Sequence, residues 1–142
     1  MIDPSQNPFA ILNYPAILVA AVINFIIAFV WYTPLFGKKW AALVGADMSK
    51  KPSAASMAGS MIGMFVSTFI MTVGLAFFIK IAPWQCGPLQ AAVIGLQISI
   101  FFIWTTESGK IFFQGKPALY FIDAGYQTIG IVISAIILGL WK

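Results

Sequence analysis

The chain has 142 residues, of which 61% are apolar and 8% are charged, with eight basic side chains, four acidic ones and no histidine. An ordinary soluble domain is about a quarter charged, so this composition excludes a water-soluble globule and indicates a protein of the lipid bilayer. The absence of histidine excludes most histidine chemistry. The single cysteine excludes an internal disulfide and a cysteine-cluster metal site.

Four apolar stretches follow one another, at residues 15–32, 57–81, 89–104 and 118–141. A helix needs roughly 20 residues to cross the hydrocarbon core, so the third stretch, which is short, is expected to continue to residue 107. Runs this long without alternation do not fit barrel strands, and a backbone in lipid must satisfy its own hydrogen bonds. The sequence predicts an all-α fold: one integral membrane domain, built as a four-helix bundle.

Lysine placement predicts the orientation of the four spans. Six lysines lie in the loops after the first and third spans, and two lie at the opposite ends. The six are Lys38, Lys39, Lys50, Lys51, Lys110 and Lys116, and the two are Lys80 and Lys142. Because positively charged loops stay on the inner side, we expect both termini to lie on the outer side.

Aromatic side chains and one short segment are expected at the membrane surfaces. Trp31, Tyr32, Trp40 and Trp104 lie at the predicted inner interface, and Trp84 lies in the outer turn. Such rings prefer the headgroup level. In the first inner loop, Phe36, Trp40, Leu43 and Val44 follow a helical spacing, which predicts a short amphipathic helix in the headgroup plane.

Small or polar residues recur every three or four positions in each span. In lipid, such faces let helix backbones within one chain approach closely and let polar groups form hydrogen bonds between helices. Alternatively, the same faces contact a second subunit. The spacing leaves both interpretations open. The faces are Ala16, Ala20, Asn24 and Ala28; Ala55, Gly59, Gly63 and Ser67; Ala91, Gly95 and Ser99; and Asp123, Gln127, Gly130 and Ser134.

Asp123 is the foremost candidate for a functional residue, because it lies about five residues inside the fourth span. It could hold a cation or a proton, with Gln127, Asn24 and Gln97 as neutral partners. Alternatively it lies near the inner headgroups and pairs with Lys110, Lys116 or Lys38. Glu107 and Lys110, three residues apart, are expected to pair with each other.

Other chemistry has little support in the sequence. No serine lies in a motif beside a base, so we predict no catalytic residue and no enzyme. Four methionines at helical spacing in the second span could suggest copper, but methionine also fills apolar space, so we predict no metal site. No basic helix lies outside the membrane-flanking segments, so we expect no nucleic acid partner. Bound lipid is expected, and no cofactor. Cys86 is expected to be a free, inert thiol.

Two sequence segments resemble a known family. The first combines Asn13-Tyr14 with the run from Trp31 to Lys38, WYTPLFGK, and Trp40. The second combines Thr105-Thr106, Gly115-Lys116-Pro117, and the run from Ile122 to Tyr126, IDAGY. They resemble the bacterial membrane family catalogued as domain of unknown function 1761. The resemblance implies a small four-helix protein of the bacterial inner membrane and brings no activity. The chain departs from the family pattern at Glu107–Lys110, at Asp123 and at Gln127.

Two classes of function remain. The first is a structural or accessory protein that forms a homo-oligomer or packs on a larger membrane complex. The second is a small oligomeric transporter or channel for a cation or small solute, using Asp123, Asn24 and Gln97. The charges cluster at the interface and the polar interior is sparse, which favours the first class.

The lysine asymmetry makes a topological prediction. Cysteine substitutions at Ser53 and Pro88 should be labelled differently by a membrane-impermeant thiol reagent added to intact cells: position 88 should react and position 53 should not. Labelling at 53 without labelling at 88 would reverse the orientation.

Overall fold

The computed structural model describes residues 7, 9–47, 49–50, 52–82 and 87–141, and most of these residues lie in helices. Within these ranges the fold is all-helical and no residue lies in a strand, as the sequence predicted. Lys51, Trp84, Cys86 and Lys142 lie outside the described residues, so the predictions that concern them stay predictions.

The helices follow the apolar stretches, and four helical runs are long and apolar enough to cross a membrane: Tyr14–Leu35, Ala54–Ile81, Pro88–Phe112 and Pro117–Leu140. In chain order the elements are α1 (Tyr14–Val30) with a π-helical continuation, π1 (Trp31–Leu35); α2 (Gly37–Val44); α3 (Ala54–Ile81); α4 (Pro88–Ile98) with a π-helical continuation, π2 (Ser99–Ile103); α5 (Trp104–Glu107); α6 (Gly109–Phe112); and α7 (Pro117–Leu140). The third run continues beyond the predicted residue 107, since α6 prolongs it to Phe112.

Local chemistry explains where these helices begin and end. The side chains of Asn13 and Ser53 accept hydrogen bonds from backbone N–H groups three residues on, at 3.2 Å in each case, and so cap α1 and α3. The Ser53 cap lets α3 start before the apolar stretch does. Gly45, with a φ of 72°, ends α2 in the left-handed conformation that glycine adopts without strain.

A π-helical segment occurs in each of the two spans that the topology predicts to run inward. In π1, Pro34 has no N–H to give to the preceding turn, and the Phe36 N–H bonds to the Trp31 carbonyl, five residues back, at 2.9 Å. The segment π2 ends directly before Trp104. Such wide turns are rare in proteins overall, and those that occur often lie at functional sites.

The fourth long helix, α7, is the centre of the bundle and contacts α1, α3 and α4. Small residues allow the backbones of α4 and α7 to approach closely. A Cβ atom built on Gly95 would lie 3.0 Å from Ala135 Cβ, and one built on Gly139 would lie 2.8 Å from Ala91 Cβ. The small faces of α1, α4 and α7 therefore serve as packing surfaces within the chain.

The small face of α3 departs from this pattern. All of its residues from 54 to 63 are exposed, and a Cβ built on Gly59 or Gly63 would meet no atom of the described residues outside its own helix within 4 Å. Burial begins at Thr68 and continues to Ile79. Of the two interpretations left open for this face, packing within the chain does not hold for Ala55, Gly59 and Gly63 among the described residues, because burial on α3 begins only beyond residue 63.

Two hydrogen bonds locate the ends of the bundle. The Asn13 side chain donates to the Trp141 carbonyl at 3.4 Å, so α1 begins where α7 ends. At the opposite end, the Lys116 ammonium donates to the Leu43 carbonyl and joins the two lysine-bearing loops. Which end faces outward stays a prediction.

The contact between α4 and α7 makes a prediction about glycine. Replacing Gly139 by Ala should lower stability by about 1–3 kcal/mol, because the new methyl group would overlap Ala91 and the Pro88 backbone. Gly74→Ala, where the same methyl group would meet nothing within 4 Å, is the matched control and should be neutral or stabilising. Thermal unfolding in detergent measures both variants, and equal midpoints would contradict the packing.

Candidate functional site

The Asp123 carboxylate lies in the first part of α7 and is 8% exposed. One oxygen accepts a hydrogen bond of 2.7 Å from the Tyr32 hydroxyl, which π1 presents. The other oxygen accepts from the Lys110 ammonium of α6. Three segments that are distant in sequence therefore meet at one carboxylate.

Lys110 extends this contact to a second acid. Its ammonium also pairs with Glu107, three residues earlier on the α5–α6 path. The Gln127 amide of α7 donates to Glu107 Oε1 at 3.0 Å. Tyr32, Asp123, Lys110, Glu107 and Gln127 thus form one connected set, here called the Asp123 network.

Charges in the Asp123 network do not balance. Two carboxylates face one ammonium, and the three charged side chains are only 11–22% exposed. Hydrogen bonds from the neutral Tyr32 and Gln127 stabilise the remaining negative charge. The arrangement can therefore hold an excess of one negative charge in a poorly hydrated place.

The predicted interfacial aromatics have partners inside the protein. The Trp31 indole donates to the Ile122 carbonyl at 3.0 Å, and the Trp104 indole donates to the Thr128 hydroxyl at 2.9 Å. Tyr32 packs edge-on against Trp40, with ring centres 5.4 Å apart. The two hydrogen bonds hold π1 and α5 against the first half of α7, and the ring contact holds α2 against π1.

A cavity of about 380 Å³ adjoins the Asp123 network. Asn24 of α1 lines it and is only 3% exposed, and its Oδ1 has no hydrogen-bond partner within the described residues. A Cβ on Gly130 would lie 2.9 Å from Asn24 Cγ, so glycine makes room for the amide. The other lining residues are Met64, Ser67, Thr68, Met71, Ile103, Tyr126, Gln127 and Ile131.

Three of the predicted site residues lie elsewhere. Gln97 is exposed, because the Ala91–Gly95–Ser99 face of α4 is buried and Gln97 lies two residues beyond Gly95. It is therefore not a partner of Asp123 or Asn24. Lys38 is exposed on α2, and Lys116 donates to a backbone carbonyl. Of the three lysines predicted for the charge cluster, Lys110 is therefore the one that pairs with the acids.

Sequence reasoning missed two members of the site. Tyr32 was assigned to the membrane interface, although it continues the series Asn24, Ala28 at a spacing of four and so lies on the packing face of α1. Tyr126 was not singled out. Its ring lies 5.2 Å from that of Tyr32, and it also lines the cavity.

The prediction of no metal site stays a prediction. The parts of the chain that the structure describes contain no group of three or more Cys, Asp or Glu side chains that could hold a metal ion. Of the methionines in the second span, Met64 and Met71 line the cavity, whereas Met57 and Met61 are exposed.

Outside the spans, hydrogen bonds from the Ser49 hydroxyl and backbone N–H lower the pKa of the Asp47 carboxyl.

The fold and the site define the class of protein. This is an all-helical membrane protein, because four of its helical runs are long and apolar enough to cross a membrane. The other three runs pack around the fourth, α7. The chain belongs to the family described as protein of unknown function DUF1761, whose family model matches residues 15–139. Comparisons with curated proteins and with solved structures found no match.

Substitutions at Asp123 test the role of its charge in the fold. Asp123→Asn keeps an acceptor for Tyr32 and leaves Lys110 paired with Glu107, so stability should fall by less than about 1.5 kcal/mol. Asp123→Leu leaves the Tyr32 hydroxyl without an acceptor and Lys110 with one carboxylate instead of two, so the free energy of unfolding should fall by on the order of 3 kcal/mol. Unfolding in detergent, followed by tryptophan fluorescence, measures the difference. Equal stability of the two variants would contradict a structural role for the carboxylate.

Proposed function

We propose that this protein is a non-enzymatic structural or accessory component of a membrane assembly, and that it joins the assembly through the first third of α3. The observation that carries the proposal is the exposed surface of residues 54–63, which no other part of the described chain covers. The remaining long helices use their small residues for contacts within the chain.

The chemistry of this surface suits helix association. Gly59 and Gly63 are four residues apart and form a G-x-x-x-G pattern, which lets two helix backbones approach closely in lipid. Ala55 continues the same face one turn earlier. Apolar side chains such as Ile62, which is 65% exposed, flank it and would pack against the partner.

The length of α3 supports the same conclusion. It has 28 residues and is about 42 Å long, whereas about 20 residues cross the hydrocarbon core. A helix longer than the membrane is thick tilts or associates with neighbours. Since α3 is buried from Thr68 to Ile79, and Phe65 already packs on Phe25 of α1, residues 54–63 are the part free to meet a partner.

Contacts in the Asp123 network support a non-enzymatic role. A general acid or base must reach the substrate with a proton-carrying atom. Here both oxygens of Asp123 are bonded to Tyr32 and Lys110, and Glu107 is bonded to Lys110 and Gln127. These bonds make the network a link between helices.

A second candidate is passage of a cation or small solute. The observation that favours it is the cavity, which extends from Asn24 to Gln127 and there meets the network with its excess negative charge. Uptake of a radioactive monovalent cation into proteoliposomes tests this. A flux that Asp123→Asn abolishes, in a variant that assembles normally, would make transport the better account.

The assembly proposal is tested by cysteine cross-linking in native membranes, in a Cys86→Ser background. Gly59→Cys should form a disulfide-linked dimer when a copper–phenanthroline oxidant is added, because the proposed contact brings the two Gly59 positions together. Met61→Cys is the matched control, since Met61 is exposed on the same helix but two residues on, and hence on the opposite side. It should not cross-link.

A substitution that adds bulk separates assembly from folding. Gly63→Leu should weaken self-association without lowering the unfolding midpoint of the monomer, because among the described residues a Cβ built on Gly63 would meet nothing outside its own helix within 4 Å. Association is measured by size exclusion with light scattering. If the wild-type protein is monomeric and Gly59→Cys cross-links to no other membrane protein, the proposal is wrong.

A further inference from the structure

We infer that the outward face of the third span binds a second copy of this chain, and that the Gln97 amides of the two copies bond to each other. The residues of this face, here called the α4 stripe, are all exposed: Leu89, Gln90, Val93, Leu96, Gln97 and Ile100. The α4 stripe lies on a different helix from the proposed assembly surface, residues 54–63 of α3. The inference therefore does not depend on the proposed function.

The position of Gln97 is the observation that points to a partner. Gln97 lies about 14 Å from the start of the 25-residue apolar run Pro88–Phe112, and the hydrocarbon core is about 30 Å thick. Its side chain is exposed, so its amide lies on the lipid-facing side of the bundle. Hydrocarbon offers no partner to the two N–H groups and the carbonyl of an amide, and leaving them unbonded is costly.

Other exposed polar side chains of the same run satisfy themselves. The hydroxyls of Thr105 and Thr106 donate to the Phe101 and Phe102 carbonyls at 2.6 and 2.7 Å. A hydroxyl can do so because it reaches the preceding turn of its own helix. Among the described residues, Gln97 has no such bond. Its partner must therefore come from outside the chain, and glutamine amides in membrane helices bond across helices.

A second copy of the chain supplies the matching group. An amide both donates and accepts, so two glutamine amides are complementary to each other. Two copies with the same topology hold Gln97 at the same depth in the membrane. A twofold axis along the membrane normal then places the two α4 helices side by side and parallel, with one Gln97 next to the other.

The α4 stripe also has the spacing of a helix pair. Its two glutamines, Gln90 and Gln97, are seven residues apart. Its apolar members follow at spacings of four, three and four residues: Leu89, Val93, Leu96 and Ile100. A seven-residue repeat keeps one seam facing the partner when two helices wind around each other with a left-handed twist.

The outward face of α1 shows the contrast. Between Leu18 and Val30, every exposed residue of α1 is apolar, and Ile26 in the middle of this span is 54% exposed. Lipid chains solvate such a face without leaving a polar group unbonded. The need for a protein partner is therefore specific to the α4 stripe and absent from this face of α1.

Cysteine cross-linking locates the contact, in a Cys86→Ser background and in membranes of the expressing cells. Val93→Cys should give a disulfide-linked dimer of this chain when iodine, which enters hydrocarbon, is added. Ile26→Cys is the matched control, because it is also exposed in mid-span, and it should stay monomeric. Gly63→Leu, added to Val93→Cys, should leave the dimer in place, which separates this contact from the one proposed for α3.

Substitutions of the glutamines test the role of the amide. Energy transfer between donor-labelled and acceptor-labelled copies, diluted with phosphatidylcholine in liposomes, measures association. The labels are attached at Ser49→Cys, which is exposed outside the spans, in the Cys86→Ser, Gly63→Leu background. Gln97→Leu should weaken association about fivefold, the effect of a hydrogen bond between helices in lipid, and Gln97→Asn should largely restore it.

Gln90→Leu is the matched control for the amide. It makes the same change on the same stripe, but near the start of α4, where water reaches the side chain, so association should change less than twofold. Three results would overturn the inference: no Val93→Cys dimer, a Val93→Cys dimer that Gly63→Leu abolishes, or equal association of Gln97→Leu and Gln90→Leu. Cross-linking of Val93→Cys to a different membrane protein, in place of a second copy, would also overturn it.

Discussion

Close contact between helix backbones along α7 is the constraint on which the rest of the structure depends. Helices in lipid gain little from burying apolar surface, so they associate through tight packing and hydrogen bonds. Gly95 meets Ala135, Ala91 meets Gly139, and Asn24 meets Gly130. These contacts fix α4 and α1 on α7, and they thereby set the positions of π1, π2 and the short helices that continue them.

The Asp123 network is a consequence of that packing. Once α1 and the α4–α6 path lie against α7, Tyr32 and Lys110 come within hydrogen-bonding distance of Asp123. In a poorly hydrated place, an acid without such partners would be costly to keep charged. The network therefore joins the helices at one end of the bundle, while the small residues join them along its length.

Helix α3 is the element that this arrangement leaves incomplete. It contributes no residue to the Asp123 network, and it is buried only from Thr68 to Ile79. Its first third is bare, and the space between its middle and π2 is the cavity beside Asn24. The proposed assembly through residues 54–63 arises from this feature of the packing.

The sequence by itself determined the four helical spans, the short α2 and the position of the Asp123 carboxylate inside an apolar run, because hydropathy, helical period and an acid inside such a run are local properties. It did not determine which polar residues meet. Gln97 and Asn24 look alike in sequence, yet α4 turns Gln97 outward and α1 buries Asn24. Lys110, Lys116 and Lys38 were equal candidates for Asp123, and only the path through α5 and α6 selected Lys110. Likewise, the small-residue faces of α3 (Ala55, Gly59, Gly63) and of the α4–π2 run (Ala91, Gly95, Ser99) look alike in sequence, but the first is exposed and the second is buried. Those choices depend on the angles and distances between helices, which the tertiary structure alone decides.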